Sequence, residues 1–378
     1  YYMEALDKDG QAKFVGYRVM AYRISMMTGT GIIVTIGTNF NWSLAFTAAA
    51  LIFGIFFLYH LFFLKEVEEQ KKPVKSLFLQ VLKIKTLILF ILIISMIIAI
   101  RFFFQSHLYT RLKDSFPILK KFYFSHWIAL LLLISLILVG VFGNKIKSFI
   151  LRDPDSYYAR AFITFMERDK IGIILAFIIL MRAGEWALTT MVAPFFVDLG
   201  IKAHYGWLSG LVGLPAAIIG ALLGGWLISR QGLKKMLWPF LLAQNITNLV
   251  YMILASHLSR FVTINTGIEN PISIGGANLI LVGLVHGFDQ FASGLGNAVL
   301  MTFLMRICHH DFKAAHYAIG SGLMNVSSIF AGVMSGFIAS WLGYTWLFGV
   351  SFLISVPAMI LIPFLPYLSD QPEHKLNE

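Results

Sequence analysis

Apolar residues in this chain come in runs longer than a soluble helix needs and far longer than a strand. A bilayer-spanning helix takes about 20 mostly apolar residues. The pattern predicts ten such spans, over Gly16–Gly37, Trp42–Leu64, Thr86–Phe104, Trp127–Gly143, Ile171–Phe196, Trp207–Ile228, Met236–Ala255, Ile274–Leu304, Ala314–Trp341 and Trp346–Pro366. They are not alike. Leu51–Leu64 is rich in Phe and Ile84–Phe104 in Ile and Leu, a texture suited to lipid. The last six carry glycines such as Gly220, Gly224, Gly225, Gly294, Gly296, Gly332 and Gly336. Small residues let helix backbones approach closely. The last six spans are therefore expected to form a packed bundle, with the third and fourth at its periphery.

The polar segments between the spans give the orientation. Lys65–Lys85, Lys145–Lys170, Arg230–Lys235 and Arg306–Lys313 are basic and alternate with poorer connections such as Gly37–Trp42 and Trp341–Trp346. The positive-inside rule places the basic set in the cytoplasm. Arg101–Lys121 dissents, being basic on the expected outer side. Deleting the third and fourth spans as a pair leaves every other orientation unchanged.

A weak repeat is visible. The basic segment Lys8–Arg18 leads into a small-residue helix, a turn, and Asn41-Trp42-Ser43-Leu44-Ala45-Phe46 opening the next helix. Arg306–Lys313 leads into a similar pair, whose second helix opens Gly343-Tyr344-Thr345-Trp346-Leu347-Phe348. Duplicated transporter halves give such pairs, and so does convergent use of Trp at membrane interfaces. If the late pair closes a six-helix half, the early pair closes another whose first four helices precede Tyr1. The organisation expected is residues 1–64 as the last two helices of an N-terminal half, and 65–170 as a linker with two inserted helices. Residues 171–368 form a six-helix C-terminal half and 369–378 a cytoplasmic tail.

Composition supports the membrane assignment. The chain is 58% hydrophobic and 13% charged, against about 25% charged in soluble domains. Its net charge of +11 is scattered over short loops, which fits anionic lipid and orientation rather than nucleic acid. One cysteine, Cys308, excludes an internal disulfide or a four-cysteine metal site. Cys308-His309-His310-Asp311 could suggest a metal, but adjacent residues diverge around a helix, and no metal or cofactor is expected. No nucleophile elbow, zinc-protease motif or phosphate loop is present, so neither an enzyme nor an ATP-driven pump is expected.

Gly225-Trp226-Leu227-Ile228-Ser229-Arg230-Gln231-Gly232-Leu233-Lys234-Lys235 resembles the loop signature of the major facilitator superfamily, Gly-x-x-x-Asp-Arg-x-Gly-Arg-Arg/Lys. Ser229 stands where the pattern has Asp, and Leu233 where it has Arg. Gly225, Arg230, Gly232, Lys234 and Lys235 are the matching positions of this conformational loop; an ordinary basic turn is the alternative. Further motifs resemble the AmpG-type muropeptide permease family, related to acetyl-coenzyme A transporters. Arg182-Ala183-Gly184-Glu185 is similar to that family's Lys-Leu-Gly-Asp, and is followed by Thr189-Thr190 and Pro194-Phe195-Phe196. Asp289-Gln290-Phe291-Ala292-Ser293-Gly294-Leu295-Gly296-Asn297 is similar to its Glu-Asn-x-x-Gly-Gly-x-Gly-Thr. Phe303 through Arg306, then Phe312-Lys313-Ala314-Ala315-His316-Tyr317-Ala318, and the early Gly16-Tyr17-Arg18 also match in order. The resemblance implies an all-α integral membrane fold, a major facilitator helical bundle lacking its N-terminal helices. It implies a monomeric, multi-pass secondary transporter of the bacterial inner membrane, importing muropeptides with protons during peptidoglycan recycling. Gln290, Asn297 and Tyr317 join the candidate pathway on that resemblance.

The charged positions can also be argued directly. A charge at a helix centre costs about 2.5–3.5 kcal/mol on insertion scales, so it should face a cavity or a partner. Arg182 and Glu185 are three apart and can pair on one helix face. Asp289 stands alone in its span and needs a partner or a proton; a carboxyl in low dielectric can load and release one near neutral pH. Glu185 or Asp289 would couple proton entry to transport, with Arg182 holding an anionic substrate group; a purely structural brace is the alternative. Trp186 could stack on a sugar ring or face lipid. Gln244, Asn245 and Asn248 place amides mid-span. Arg18 and Tyr22 share a face near the start of the first span, beside Arg23, with Arg18 expected to snorkel to headgroups. Pro194 and Pro215 are expected to kink their helices. An anionic-solute transporter of another kind remains open, as does a non-transporting receptor, or an acyltransferase built on His286 and Asp289, three apart on one helix face.

Overall fold

A computed structural model describes residues 6–26, 40–63, 84–116, 157–262 and 274–368, with scattered positions within 28–37 and 119–148. Among them every regular element is helical: α1 (Lys8–Met26), α2 (Trp42–Phe63), α3 (Ile84–Gln105), α4 (His107–Ser115), α5 (Tyr157–Met166), α6 (Ile171–Met181), α7 (Ala183–Asp198), α8 (Leu214–Gln231), α9 (Leu233–His257), α10 (Gly276–Arg306) and α11 (Lys313–Leu361). Most of the expected fourth span and the latter part of the first lie outside the described residues. Six described helical stretches are long and apolar enough to cross a membrane: Trp42–Phe63, Ile171–Asp198, Lys202–Gln231, Leu233–His257, Gly276–Arg306 and His310–Phe364. The last is two helices in one, since Gly343 breaks α11 with φ 76° and ψ 172°. A Cβ is strained at that φ, so glycine is the residue that can turn the chain there. The break falls between the two spans expected at Ala314–Trp341 and Trp346–Pro366.

The chain divides into two compact units, Tyr1–Val67 with Glu167–Glu378, and Glu68–Met166. In the first, α8 is the central slat. It packs on α10 along one side and on α1 along another, while α9 joins α10 to α11 and α7 packs against α11. Glycine makes this possible. A Cβ on Gly220 of α8 would collide with the Phe291 carbonyl of α10, and one on Gly294 of α10 with the Ala217 carbonyl of α8. On α8's other side, a Cβ on Gly225 would lie 2.7 Å from the Ala12 carbonyl of α1. Lipid tails are as apolar as leucine, so helices in a bilayer associate through close packing rather than through escape from water.

Toward one end of the bundle, Phe195 and Phe196 of α7, Tyr251 of α9 and Leu347 and Phe348 of α11 form a fully buried apolar cluster. Tyr344 closes it, its hydroxyl donating to Asp198 at 2.6 Å. At the other end, Arg168 Nε donates to the Ile307 carbonyl at 2.9 Å and Arg306 to the Leu368 carbonyl at 3.1 Å. The basic segments ending at Lys170 and spanning 306–313 thus share one end of the bundle, as the orientation rule requires. Helix α2 differs from all of these: Ala45 is its one buried residue.

Pro215 lies inside the continuous 202–231 helical stretch, just after a π-helical turn over Leu208–Gly213, an irregularity of the kind that bends helices. One local expectation needs correction: the first helix does not begin at Gly16. It starts at Lys8, where the Asp7 carboxylate accepts from Gly10 N at 2.8 Å and caps a helical extension too polar for a hydropathy window to detect.

In the second unit, α3 ends at Ser106, whose hydroxyl accepts from Tyr109 N at 3.3 Å and starts α4. Tyr109 is buried against Phe104, ring centroids 4.7 Å apart, with Lys113 Nζ 4.6 Å over its ring. The basic stretch after the third span is therefore a short amphipathic helix, not a plain loop.

Candidate functional site

Helices α6 and α7 form one span interrupted at Arg182, which has φ −104° and ψ 1°. The interruption sets Glu185 in the first turn of α7, where helix N-terminal amides favour a negative charge. Arg182 and Glu185 meet in a two-pronged ion pair, Nε to Oε2 at 2.7 Å and Nη2 to Oε1 at 2.8 Å. The guanidinium also lies 5.0 Å over the Trp186 ring. Two further helices supply donors to the same carboxylate: Gln244 Nε2 of α9, and Ser293 Oγ of α10 at 2.6 Å. Glu185 is thus an ionised hub joining three helices, with its lone pairs used.

Asp289 of α10 is equally buried but differently held. Thr247 Oγ1 donates to Oδ1 at 2.8 Å, and Gln290 Nε2 to Oδ2 at 3.1 Å. Both donors are neutral. His286, one turn away, is not paired with Asp289; its Nδ1 bonds the Tyr251 hydroxyl at 3.0 Å. The surroundings are polar and incompletely bonded. Trp186 Nε1, Gln244 Oε1, Asn245 Oδ1 and Asn248 Nδ2 are buried without hydrogen-bond partners among the described residues. Unpaired buried groups each cost on the order of 1–3 kcal/mol, so these four leave unmet hydrogen-bonding capacity on α7 and α9. Asn297 is buried one turn beyond Ser293 on α10.

Tyr317 lies elsewhere in the bundle. Its hydroxyl bonds Arg18 of α1 and donates to Met301 Sδ at 2.9 Å, and the guanidinium stands 4.8 Å over its ring. Arg18 therefore ties α1 to α11 through Tyr317, in place of the snorkelling that its position suggested. Tyr22, expected to share its face in a polar pathway, is 62% exposed. In the loop motif, Arg230 lies 4.7 Å over the Trp226 ring, Gly232 makes the turn at φ 83°, and Lys234 and Lys235 are exposed. The two departures from the signature have local uses. Ser229 Oγ bonds the Trp226 carbonyl at 2.9 Å, and Leu233 is fully buried. In the Cys308–Asp311 stretch, His309 Nδ1 accepts from Asp311 N at 3.2 Å, and its backbone N donates to His316 Nδ1 at 3.0 Å.

Sequence reasoning did not mark Arg23 as a site residue. It is partly buried, within electrostatic range of Glu185, Arg182 and Asp289. Its position carried the signal. Ala12, Val15 and Val19 are the buried stripe of α1, and the next helical step along that stripe is residue 23.

The described residues thus form an all-helical bundle with glycine-packed helices and a buried charged layer, the architecture of a polytopic membrane protein. Residues 174–378 match the Major Facilitator Superfamily, and the chain belongs to that superfamily. It is a multi-pass protein of the bacterial inner membrane. It is 26% identical to the protein of Rickettsia felis named transporter AmpG 2 over 240 residues, 63% of this chain and 54% of that one. It is also 26% identical to the anhydromuropeptide permease of Escherichia coli K12 over 200 residues, 52% of this chain and 37% of that one. AmpG 1 of Rickettsia bellii is 23% identical over 193 residues. The chain thus spans about half the length of the first two curated relatives, or less.

Proposed function

We propose that this chain carries out secondary active transport, importing muropeptides or a similar amphiphilic anionic solute with protons. The observation that carries the reading is the charged layer itself. A paired Glu185 and a lone Asp289 lie buried on neighbouring helices, amid unpaired amides and an indole N–H. A solute bearing sugar hydroxyls, amides and carboxylates has the groups to complete those bonds, and Trp186 offers a ring face. The names of the relatives in Rickettsia and Escherichia coli support muropeptide over acetyl-coenzyme A as the solute. Asp289, held by neutral donors only, is the better candidate to take up and release a proton. Glu185, held by a guanidinium, is better suited to staying ionised. The acyltransferase reading loses its support, because His286 and Asp289 bond different partners.

The test is uptake of labelled anhydromuropeptide into vesicles containing the chain, with and without a proton gradient, alongside Asp289→Asn. We expect gradient-dependent uptake in the wild type and loss of accumulation, with exchange retained, in the variant. Uptake indifferent to the gradient would remove proton coupling; no uptake of the muropeptide would remove the substrate.

A further inference from the structure

In α9 one hydroxyl meets two acceptors. Thr247 Oγ1 lies 2.8 Å from Asp289 Oδ1 of α10 and 2.7 Å from the backbone carbonyl of Gln244, one turn back on its own helix. Both are ordinary lengths for a hydroxyl bond. A threonine hydroxyl has one proton to give and two lone pairs, so it does not donate along both lines at once. Asp289 sets the direction. An ionised carboxylate only accepts, and takes the Thr247 proton. A protonated Asp289 donates to Thr247 Oγ1, and the Thr247 proton then turns to the Gln244 carbonyl.

Gln244 is the residue through which that choice reaches the rest of the site. Its Nε2 donates to Glu185 of α7, and a Cβ on Gly296 of α10 would collide with its amide. The amide is thus seated against α10 with its donor end on Glu185, so a tilt of the α9 backbone at Gln244 is carried to that carboxylate. Side chains already compete for the backbone here, since Asn245 Nδ2 donates to the Leu241 carbonyl at 2.8 Å. Back-bonding of this kind bends helices.

We propose that Thr247 is a positioning residue that reads the proton on Asp289. It bonds the carboxylate when Asp289 is ionised and the Gln244 carbonyl when Asp289 is protonated, and so changes how α9 holds Glu185. This rests on the reading of Asp289 as the proton carrier. No proton leaves Thr247; its hydroxyl rotates, and the one proton gained is that on the Asp289 carboxyl.

The other charged and titratable groups of the surrounding helices are accounted for. On α7, Glu185 is paired with Arg182. On α10, His286 bonds Tyr251 of α9, and Arg306 lies at the helix end. Lys234, Lys235 and His257 lie at the ends of α9, and Lys202, His204, Tyr205 and Arg230 at the ends of the 202–231 span. On α11, His316 bonds the His309 backbone N–H and Tyr317 bonds Arg18 of α1. Helix α1 also brings the partly buried Arg23, whose charge is constant over the pH range of the test. A response owed to Glu185 or His286 survives Asp289→Asn, which separates it from one owed to Asp289.

Gln244–Asn245 is the one Gln–Asn step in the chain. Isotope labelling of glutamine carbonyl carbons and asparagine backbone nitrogens therefore selects the Gln244 carbonyl for NMR of the full chain in lipid nanodiscs, without solute. Titration of Asp289 is followed in parallel by the infrared carboxyl band that Asp289→Asn removes. As that band appears on lowering the pH, the Gln244 carbonyl resonance should move downfield, the direction of a gained hydrogen bond. Thr247→Ser should keep the movement; Thr247→Val and Asp289→Asn should abolish it. A shift that persists in either of the last two overturns the proposal, as does a silent Gln244 carbonyl while the Asp289 band titrates. Where Thr247→Val does not fold, the other two variants decide: Asp289→Asn must be silent and Thr247→Ser must respond. If the Asp289 band does not titrate at all, the proton reading fails and the proposal falls with it.

In proteoliposomes, gradient-driven accumulation of labelled anhydromuropeptide should fall at least about fivefold in Thr247→Val and return in Thr247→Ser. Undiminished accumulation in Thr247→Val overturns the proposal. If the wild type accumulates no muropeptide, the solute is wrong and the carbonyl shift decides.

Discussion

Helix α2 and helix α8 are about equally apolar, and hydropathy alone would treat them as the same element. Helix α2 carries Phe53, Phe56, Phe57, Leu61, Phe62 and Phe63 outward, each more than half exposed, and its glycine, Gly54, has nothing near it. Helix α8 buries Ala217, Gly220, Ala221, Gly224, Gly225 and Ile228. The difference lies in residue size, not in polarity. Apolarity decides that a segment enters the bilayer; small residues and a few polar ones decide which segments hold each other once there. The charged layer belongs wholly to the second kind of helix.

The sharpest way to break that contrast is to strike the polar hub. Glu185→Leu removes the acceptor for Arg182, Gln244 and Ser293 at once and leaves a buried guanidinium without its partner. The expected loss is on the order of 3–5 kcal/mol, read as a large fall in the thermal unfolding midpoint in detergent. A polar-to-apolar change in α2, such as Thr47→Leu at an exposed position, should leave the midpoint unmoved. If Glu185→Leu also left it unmoved, the layer would not be holding the helices together.

Next is the glycine contact. Gly220→Leu drives a side chain into the Phe291 carbonyl of α10, and overpacking of this kind costs about 1–3 kcal/mol, occasionally more. Gly54→Leu in α2 meets open space and should be neutral or slightly stabilising, since glycine is a poor helix former. Equal effects at the two positions would mean that α8 is no more tightly packed than α2.

A smaller effect is expected where α1 is tied to α11. Tyr317→Phe keeps the ring under Arg18 but deletes the hydroxyl that joins Arg18 and Met301. The expected cost is roughly 0.5–1.5 kcal/mol, measurable by the same unfolding assay, and Tyr317→Ala should cost more because the ring contact goes too.

The same two rules explain what could be read from sequence. The six spans after residue 170 were legible because lipid selects long apolar runs; even the break at Gly343 fell where the pattern separated two spans. Glycine marks packing at Gly220, Gly224, Gly225, Gly294 and Gly296, though not at Gly332 or Gly336, where a Cβ would meet ordinary contact or open space. The Arg182–Glu185 pair was legible because it is local, three residues apart on one helix. Gln244 was marked as a mid-span amide and makes an interhelical bond to Glu185. That Ser293 and Thr247 hold the carboxylates was not legible, because nothing in a linear pattern brings α9 and α10 against α7 at that level. Arg18 was misjudged for a similar reason, since its partner Tyr317 lies 299 residues away. Arg23 could have been found by extending the stripe Ala12, Val15 and Val19. The polar start of α1 hid the helix from a hydropathy window, and with it the stripe.

The smallest effect tests the end of the bundle rather than its middle. Cys308 follows α10, its Sγ 3.1 Å from the Leu304 carbonyl, and burial pushes its thiol up to about 12, only partly opposed by Arg168 and Lys313. A raised value means that the neutral thiol persists as pH rises and that thiolate, the reactive form, gathers only above it. Relative to an ordinary thiol near 9 the thiolate fraction at neutral pH falls about a thousandfold. Alkylation by iodoacetamide should therefore be very slow in the folded chain and ordinary after unfolding. A cysteine placed by Ser43→Cys at the exposed start of α2 should react readily in both states. Cys308→Ser should shift stability by no more than about 0.5 kcal/mol. Fast alkylation of native Cys308 would mean that the turn joining α10 to α11 opens to solvent, and that the bundle's end is as loosely held as α2.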